Sequence, residues 1–186
     1  MHFSIKMKKE FYSEIEIPEG IEAEIEGRKI SVKGPEGENS REFKIGNLKF
    51  EKKNGKIRIG HSSATRKEKR MINTITAHIK NLFKGVQEKF EYKLKICSSH
   101  FPITVEIKGN EAIVKNFLGE KTPRKCSMPK GAEIEINKDI ITIKSIDREI
   151  AGQAAANLET VTKVRNRDRR VFQDGIFITS KIGREI

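Results

Sequence analysis

Apolar and polar residues alternate with a period of two along most of the chain, and twice that period lengthens to helical spacing. In IEAEIEG (21–27) and RKISVKG (28–34) apolar residues flank a glycine-containing turn, which predicts a hairpin. FKIGNLKFEKKNGKIRIG (43–60) continues the alternation, with Asn54-Gly55 as a tight-turn signal between two strands. From Ser63 to Phe83, Met71, Ile75, Ile79 and Leu82 share one stripe, the spacing of an amphipathic helix. Ser63 suits its N-cap and Gly85 can end it.

The same order then recurs. ITVEIKGNEAIVKNFLGE (103–120) lies on IEAEIEGRKISVKGPEGE (21–38) without a gap, and eight of the eighteen positions are identical, including Gly27/Gly109 and Gly37/Gly119. AEIEINKDIITIKSI (132–146) supplies two further strands, with Lys138-Asp139 in the turn position. From Asp147 to Thr162, Ile150, Ala154, Leu158 and Val161 form a second stripe, with Asp147 as N-cap. Segment 87–100 alternates Phe90, Tyr92, Leu94 and Ile96, and should open the second sheet and bridge the two repeats. An amphipathic helix and a one-faced sheet each need the other to cover their apolar sides. The expected fold is therefore α+β, a tandem duplication of a small antiparallel β-sheet packed against one α-helix. The repeats should occupy residues 1–85 and 86–186, the second carrying a basic C-terminal tail.

Composition narrows the picture. Of the 186 residues, 35% are hydrophobic and 34% charged, and Trp is absent, which suits two small half-cores better than one large core. Lys and Arg number 38 against 26 Asp and Glu, a net charge of +12. Such an excess is either a solvated surface or the footprint of a polyanionic partner, whose counterions a basic surface releases. No apolar run is long enough to span a membrane, and MHFSIKMKKEFYSEIEI lacks the apolar core of a signal peptide. Cys97 and Cys126 form no C-x-x-C unit, so two free thiols in a reducing cytoplasm are expected. His2, His61, His78 and His100 stand in no metal-ligand spacing, and no phosphate-binding glycine loop or nucleophile elbow occurs. No enzymatic site, metal or cofactor is expected. The acidic alternation of EIEIPEGIEAEIEG reads as a solvated sheet face turned away from any nucleic acid.

Three basic stretches are candidates for RNA contact. HSSATRKEKR offers His61, Ser62, Ser63, Arg66, Lys67 and Arg70 at a helix start, where free N–H groups favour anions. The same residues also suit an ordinary cap with solvated charges. GEKTPRKCSMPKG (119–131) carries Lys121, Arg124, Lys125 and Lys130, and its prolines argue against a helix, leaving a loop that is either a phosphate contact or solvated. In the third, Lys163, Arg165, Arg167, Arg169 and Arg170 fall within eight residues that have no counterpart after the first helix. Guanidinium groups grip phosphate bidentately, which an ammonium cannot do. With no Trp and few aromatics beside these stretches, folded RNA read by shape and backbone is favoured over bases read singly.

The residues from Arg170 to Lys181, RVFQDGIFITSK, resemble the R-x-F-x-D-G-I-[YF]-[IV]-x-x-K signature of the sixth protein of the large ribosomal subunit in its archaeal and eukaryotic form. DREIAGQAAAN (147–157) resembles that family's second helix, and IPEGIEAEI and SSHFP look like family positions as well. Phe177 stands where the family often has Tyr, so a hydroxyl contact made there would be lost. The resemblance implies a duplicated fold and a structural role in translation. It also implies contact with large-subunit ribosomal RNA near the sarcin–ricin loop, with neighbouring large-subunit proteins around it and translational GTPases landing nearby. It adds His100, Gln153, Asn157 and Lys181 to the expected RNA-facing residues. The alternative that remains is a transient RNA-binding or RNA-chaperone module outside the ribosome.

Overall fold

The computed structural model describes residues 9–44, 46, 48–53 and 55–186, so the Asn54 turn signal and most of the opening segment lie outside the described residues. The chain forms two compact units, one reaching to Glu88 and the other spanning Lys89–Ile186.

In the first unit, alternation produces β1 (Lys9–Glu16), β2 (Glu22–Glu26), β3 (Lys29–Gly34), β4 (Gly37–Glu42), β5 (Lys49–Lys53) and β6 (Lys56–Ala64). They pair as two three-stranded antiparallel sheets, β1-β6-β5 and β2-β3-β4, where the sequence pattern suggests one. The helix α1 (Arg66–Gln87) packs on strands of both sheets. Ile15, Ile57 and Ile59 from one sheet, and Ala23, Ile30 and Val32 from the other, are buried together with Ile72, Ile75, Ile79 and Leu82 of α1.

Both expected ends of α1 shift. Residue Ser63 remains in β6, and Thr65 is the N-cap. Thr65-x-x-Glu68 is a capping box: the Thr65 hydroxyl accepts the Lys67 N–H at 3.3 Å, and Glu68 accepts the Thr65 N–H at 2.9 Å. Gly85 does not end the helix but is buried within it, and the chain leaves at Glu88 in an extended conformation. The Val86 carbonyl is satisfied by the Glu36 N–H at 3.0 Å, so the β3–β4 turn supplies the partner that a glycine cap would otherwise have arranged.

The second unit comprises β7 (Phe90–Cys97), β8 (Thr104–Lys108), β9 (Glu111–Lys115), a 3-10 turn at Phe117–Gly119, β10 (Arg124–Ser127), β11 (Glu133–Asn137), β12 (Ile140–Ser145), α2 (Arg148–Val161), β13 (Gly175–Lys181) and β14 (Arg184–Glu185). The duplication holds in register, since β8 falls 82 residues after β2 and α2 starts 82 residues after α1. The paired glycines Gly27 and Gly109 both turn their hairpins at φ 59°, a left-handed conformation that a side chain disfavours. The Lys138-Asp139 turn also forms as two residues between the paired Asn137 and Ile140, with Lys138 at φ 51°.

Two expectations change here. Residues 124–127 within the expected loop form β10, antiparallel to β9, because Cys126 tucks partly inward while Arg124 finds partners beyond the sheet. The expected tail is also not a tail. Its DGIF segment enters the sheet order β11-β12-β7-β13-β14, and β13 pairs with β7 from Gly175↔Cys97 onward. Ile176 is 1% exposed among Leu94, Ile141, Ile143 and Leu158, so burial of that side chain and a full ladder hold the segment. In the first unit β1, the counterpart of β7, pairs with β6 alone among the described residues. Along α2 the innermost residues are Ala151, Ala154, Ala155 and Leu158, with Ile150 and Val161 half-buried. Small residues let the helix lie close to the sheet; a Cβ on Gly152 would stand 3.4 Å from the Tyr92 hydroxyl.

Candidate nucleic-acid interface

Between α2 and β13 the chain runs irregularly through residues 163–174, and every Arg and Lys there is exposed. The loop is nonetheless braced at both ends. Thr162 is buried, and its hydroxyl bonds back to the Leu158 carbonyl at 3.2 Å while accepting the Ile176 N–H at 2.9 Å. Asp174 is buried too, and its carboxylate takes the Ser99 N–H and hydroxyl. Within the loop Asp168 makes the turn: its carboxylate accepts the Arg170 N–H at 2.9 Å, and its carbonyl accepts the N–H groups of Val171 and Phe172. Arg165, Arg167, Arg169 and Arg170 therefore project from a loop whose backbone is already ordered, which lowers the entropy cost of gripping a ligand.

Arg124 belongs to this loop rather than to its own. Its Nε and Nη2 donate to both Glu120 oxygens, at 2.8 and 2.6 Å. Its Nη1 donates to the Val161 carbonyl at 2.8 Å and more distantly to that of Lys163, while the guanidinium sits 4.3 Å from the Phe117 ring centroid. The side chain thus caps the C-terminus of α2 and secures the start of the arginine loop. The bidentate Arg124 partner holds the Glu120 carboxyl below its ordinary range. Lys121, Lys125 and Lys130 are exposed, as sequence reading has them. Gln153 donates to Asn157 at 2.7 Å one turn on, and Asn157 donates to the Ser127 carbonyl at 2.8 Å, so this pair ties α2 to β10. Lys181 is exposed at the end of β13. His100 is exposed and stacks edge-on against Phe101, 4.6 Å between centroids.

A groove of about 1080 Å³ opens in this unit, bordered by the ends of β7 and α2, the arginine loop and the start of β13. Lys95, Lys163 and Arg169 line it together with Phe172, Gln173 and Phe177. Of these, sequence reading singles out only Lys163 and Arg169 as contacts. Contrary to the expectation of few available aromatics, Phe101, Phe172 and Phe177 are 40%, 36% and 44% exposed, all in the second unit. The signal for Phe177 was present: it lies between the inward positions Ile176 and Ile178, so period two turns it outward.

In the first unit Arg66, Lys67 and Arg70 are exposed on the first turns of α1. A shallower groove of about 670 Å³ places Lys67 and Arg70 with Arg41 and Lys44, two cations that periodicity did not mark. His61, Ser62 and Ser63 lie in the last part of β6, and the His61 Nδ1 accepts the Ser63 N–H at 3.1 Å. Both cysteines are free, and burial pushes the Cys126 thiol up, the opposite of an activated nucleophile. Among the described residues no three His, Cys, Asp or Glu gather to hold a metal, and no helix is long and apolar enough to cross a membrane.

A family profile described as ribosomal protein L6 matches residues 17–89 and 101–175, one match on each repeat. The chain is 45% identical over 186 residues to large ribosomal subunit protein uL6 of Archaeoglobus fulgidus, covering 96% of this chain and 95% of that protein. It is 39% identical over 175 residues to the protein of that name from Methanothrix thermoacetophila, covering 94% and 99%. It is 44% identical over 168 residues to the one from Methanobrevibacter smithii, covering 90% and 94%. The duplicated α+β architecture and these likenesses define the class, a ribosomal protein of archaeal type. The chain belongs to the ribosomal protein L6 family, whose members are structural components of the ribosome and not enzymes.

Proposed function

We propose that the chain is a structural constituent of the large subunit of the cytoplasmic ribosome and binds large-subunit ribosomal RNA mainly through its second unit. The observation that carries this is the braced loop 163–174. Lys163, Arg165, Arg167, Arg169 and Arg170 stand exposed on a backbone already secured by Thr162, Arg124 and Asp174. Arginine forks presented without further ordering neutralise phosphates where RNA helices approach, and so hold the helices at one geometry. Lys121, Lys125 and Lys130 supply cations to a second strand, and Lys67 and Arg70 of the first unit supply a smaller contact. Arg124, Gln153 and Asn157 contribute by positioning. The family resemblance extends the proposal to a place near the sarcin–ricin loop, beside the landing site of translational GTPases and against neighbouring large-subunit proteins.

Sedimenting a cell extract through a high-salt sucrose gradient tests the proposal. Recovery of the chain at one copy per large subunit is the expected result. Finding it only in the soluble fraction would overturn the structural role and favour a transient RNA binder.

A further inference from the structure

Phosphate contact explains the exposed arginines but not the exposed phenylalanines. Phe172 and Phe177 are large apolar rings, 36% and 44% exposed, on the surface of a strongly basic chain, and both line the 1080 Å³ groove. The Arg167 guanidinium lies 4.9 Å from the Phe172 ring centroid and steadies that ring from outside the groove's own set of residues. Phe177 is directly opposite Lys95 in the β13–β7 ladder, so an aromatic face and an ammonium sit side by side on one sheet surface. Lys163 and Arg169 bring two more positive charges to the walls. Three acids also border the groove, Asp139, Glu159 and Asp174, the last with its carboxylate turned to Ser99. Gln173 adds a carboxamide that can read a base edge, its Nε2 donating to the Arg170 carbonyl at 3.2 Å.

We infer that this groove takes one unpaired nucleotide of the bound RNA, its base against Phe172 and Phe177 and its phosphates against Lys95, Lys163 and Arg169. The inference rests on the reading of the chain as a ribosomal RNA binder, and it changes the kind of contact made there. A paired base in an RNA helix cannot offer its face to a side chain, whereas a base turned out of its stack can lie on an aromatic ring whatever its identity. The groove's volume of about 1080 Å³ lies just above the range usual for small ligands, so a nucleotide and several waters fit. Aromatic walls beside an arginine and two lysines suit a nucleotide, which offers a base face and a phosphate together, whereas an apolar peptide segment would use the rings alone.

The test uses the full chain and a transcript of its own large-subunit ribosomal RNA. Binding is measured for wild type, Phe172→Ala, Phe177→Ala and the conservative Phe172→Tyr, with circular dichroism to check that each folds. Each alanine variant should bind roughly 5- to 100-fold more weakly, and Phe172→Tyr should stay within about 2-fold of wild type. The salt dependence of the alanine variants should match wild type, because stacking releases no counterions. Ultraviolet cross-linking should join a peptide containing Phe172 or Phe177 to a single nucleotide. Wild-type affinity in both folded alanine variants, with no such cross-link, would overturn the inference and leave the broader RNA-binding proposal standing. A cross-link from the groove to another ribosomal protein in an assembled particle would overturn it as well. Absence of any affinity for the transcript would instead remove the RNA-binding proposal, and this inference with it.

Discussion

Asp174 accepts two hydrogen bonds from Ser99, one from the backbone N–H at 3.0 Å and one from the hydroxyl at 2.8 Å, across 75 positions of sequence. Ser99 follows the end of β7 and Asp174 precedes the start of β13. One carboxylate therefore closes the arginine loop onto the sheet and shapes one wall of the groove. Asp174→Ala leaves the Ser99 N–H without its partner and should cost about 1–3 kcal/mol of unfolding free energy. Urea denaturation of the two proteins measures it, and an unchanged midpoint would show that the loop is held by other contacts alone.

Arg124 should behave as a positioning residue. Arg124→Ala removes the cap on the Val161 carbonyl and the Glu120 pair, and is expected to lower both stability and RNA affinity. The salt slope of binding should hold, because this guanidinium is occupied within the protein. A slope shallower by about one phosphate contact would instead place Arg124 on the RNA.

The same pair sets a pH dependence. Arg124 depresses the Glu120 carboxyl, so its stabilising contribution is fully present above the unfolded-state range of a glutamate and is lost as pH falls through the lower folded value. Carboxyl resonances followed by NMR should show Glu120 titrating below the ordinary range in the wild type and moving back toward it in Arg124→Ala, where only the weaker pull of Arg167 remains. The group is partly exposed, so salt will narrow that difference.

The arginines of the loop differ from Arg124. Replacing Arg165, Arg167, Arg169 and Arg170 together by Ala should leave the melting temperature nearly unchanged, since all four are exposed, and weaken RNA binding strongly. The slope of log affinity against log salt should fall by roughly three to four phosphate contacts' worth. An unchanged slope would take the loop out of the interface.

In the first unit Gly60 is directly opposite Tyr12 in the β1–β6 ladder, and a Cβ on it would stand 2.1 Å from the tyrosine ring and 2.6 Å from the Phe11 carbonyl. The ring lies across the glycine, with the Arg58 guanidinium 4.1 Å from its centroid. Gly60→Ala must displace backbone as well as ring and is expected to destabilise by about 1–3 kcal/mol. Thermal unfolding would detect it, and equal stability would mean that Tyr12 swings away at little cost.

What the sequence determined by itself is whatever local chemistry encodes. Alternation marked most of the strands, and the glycine shared by IEAEIEG and ITVEIKG fixed two hairpins at one backbone angle. Helical spacing found both helices and much of each buried stripe: Ile75, Ile79, Leu82, Ala154 and Leu158 are buried as expected, while Ile72 and Ala151 are buried beside the expected Met71 and Ile150. Such features depend on neighbours a few positions away. The tertiary structure decided what depends on distant partners. It turned Arg124, outwardly one more cation in a basic loop, inward to Val161, 37 positions on. It drew the expected tail into the sheet because β7 has a second edge to pair and Ile176 a core to enter. It also brought Phe172 and Phe177 to one groove with Lys95, since exposure and proximity arise from packing, which a linear pattern of residue types does not contain.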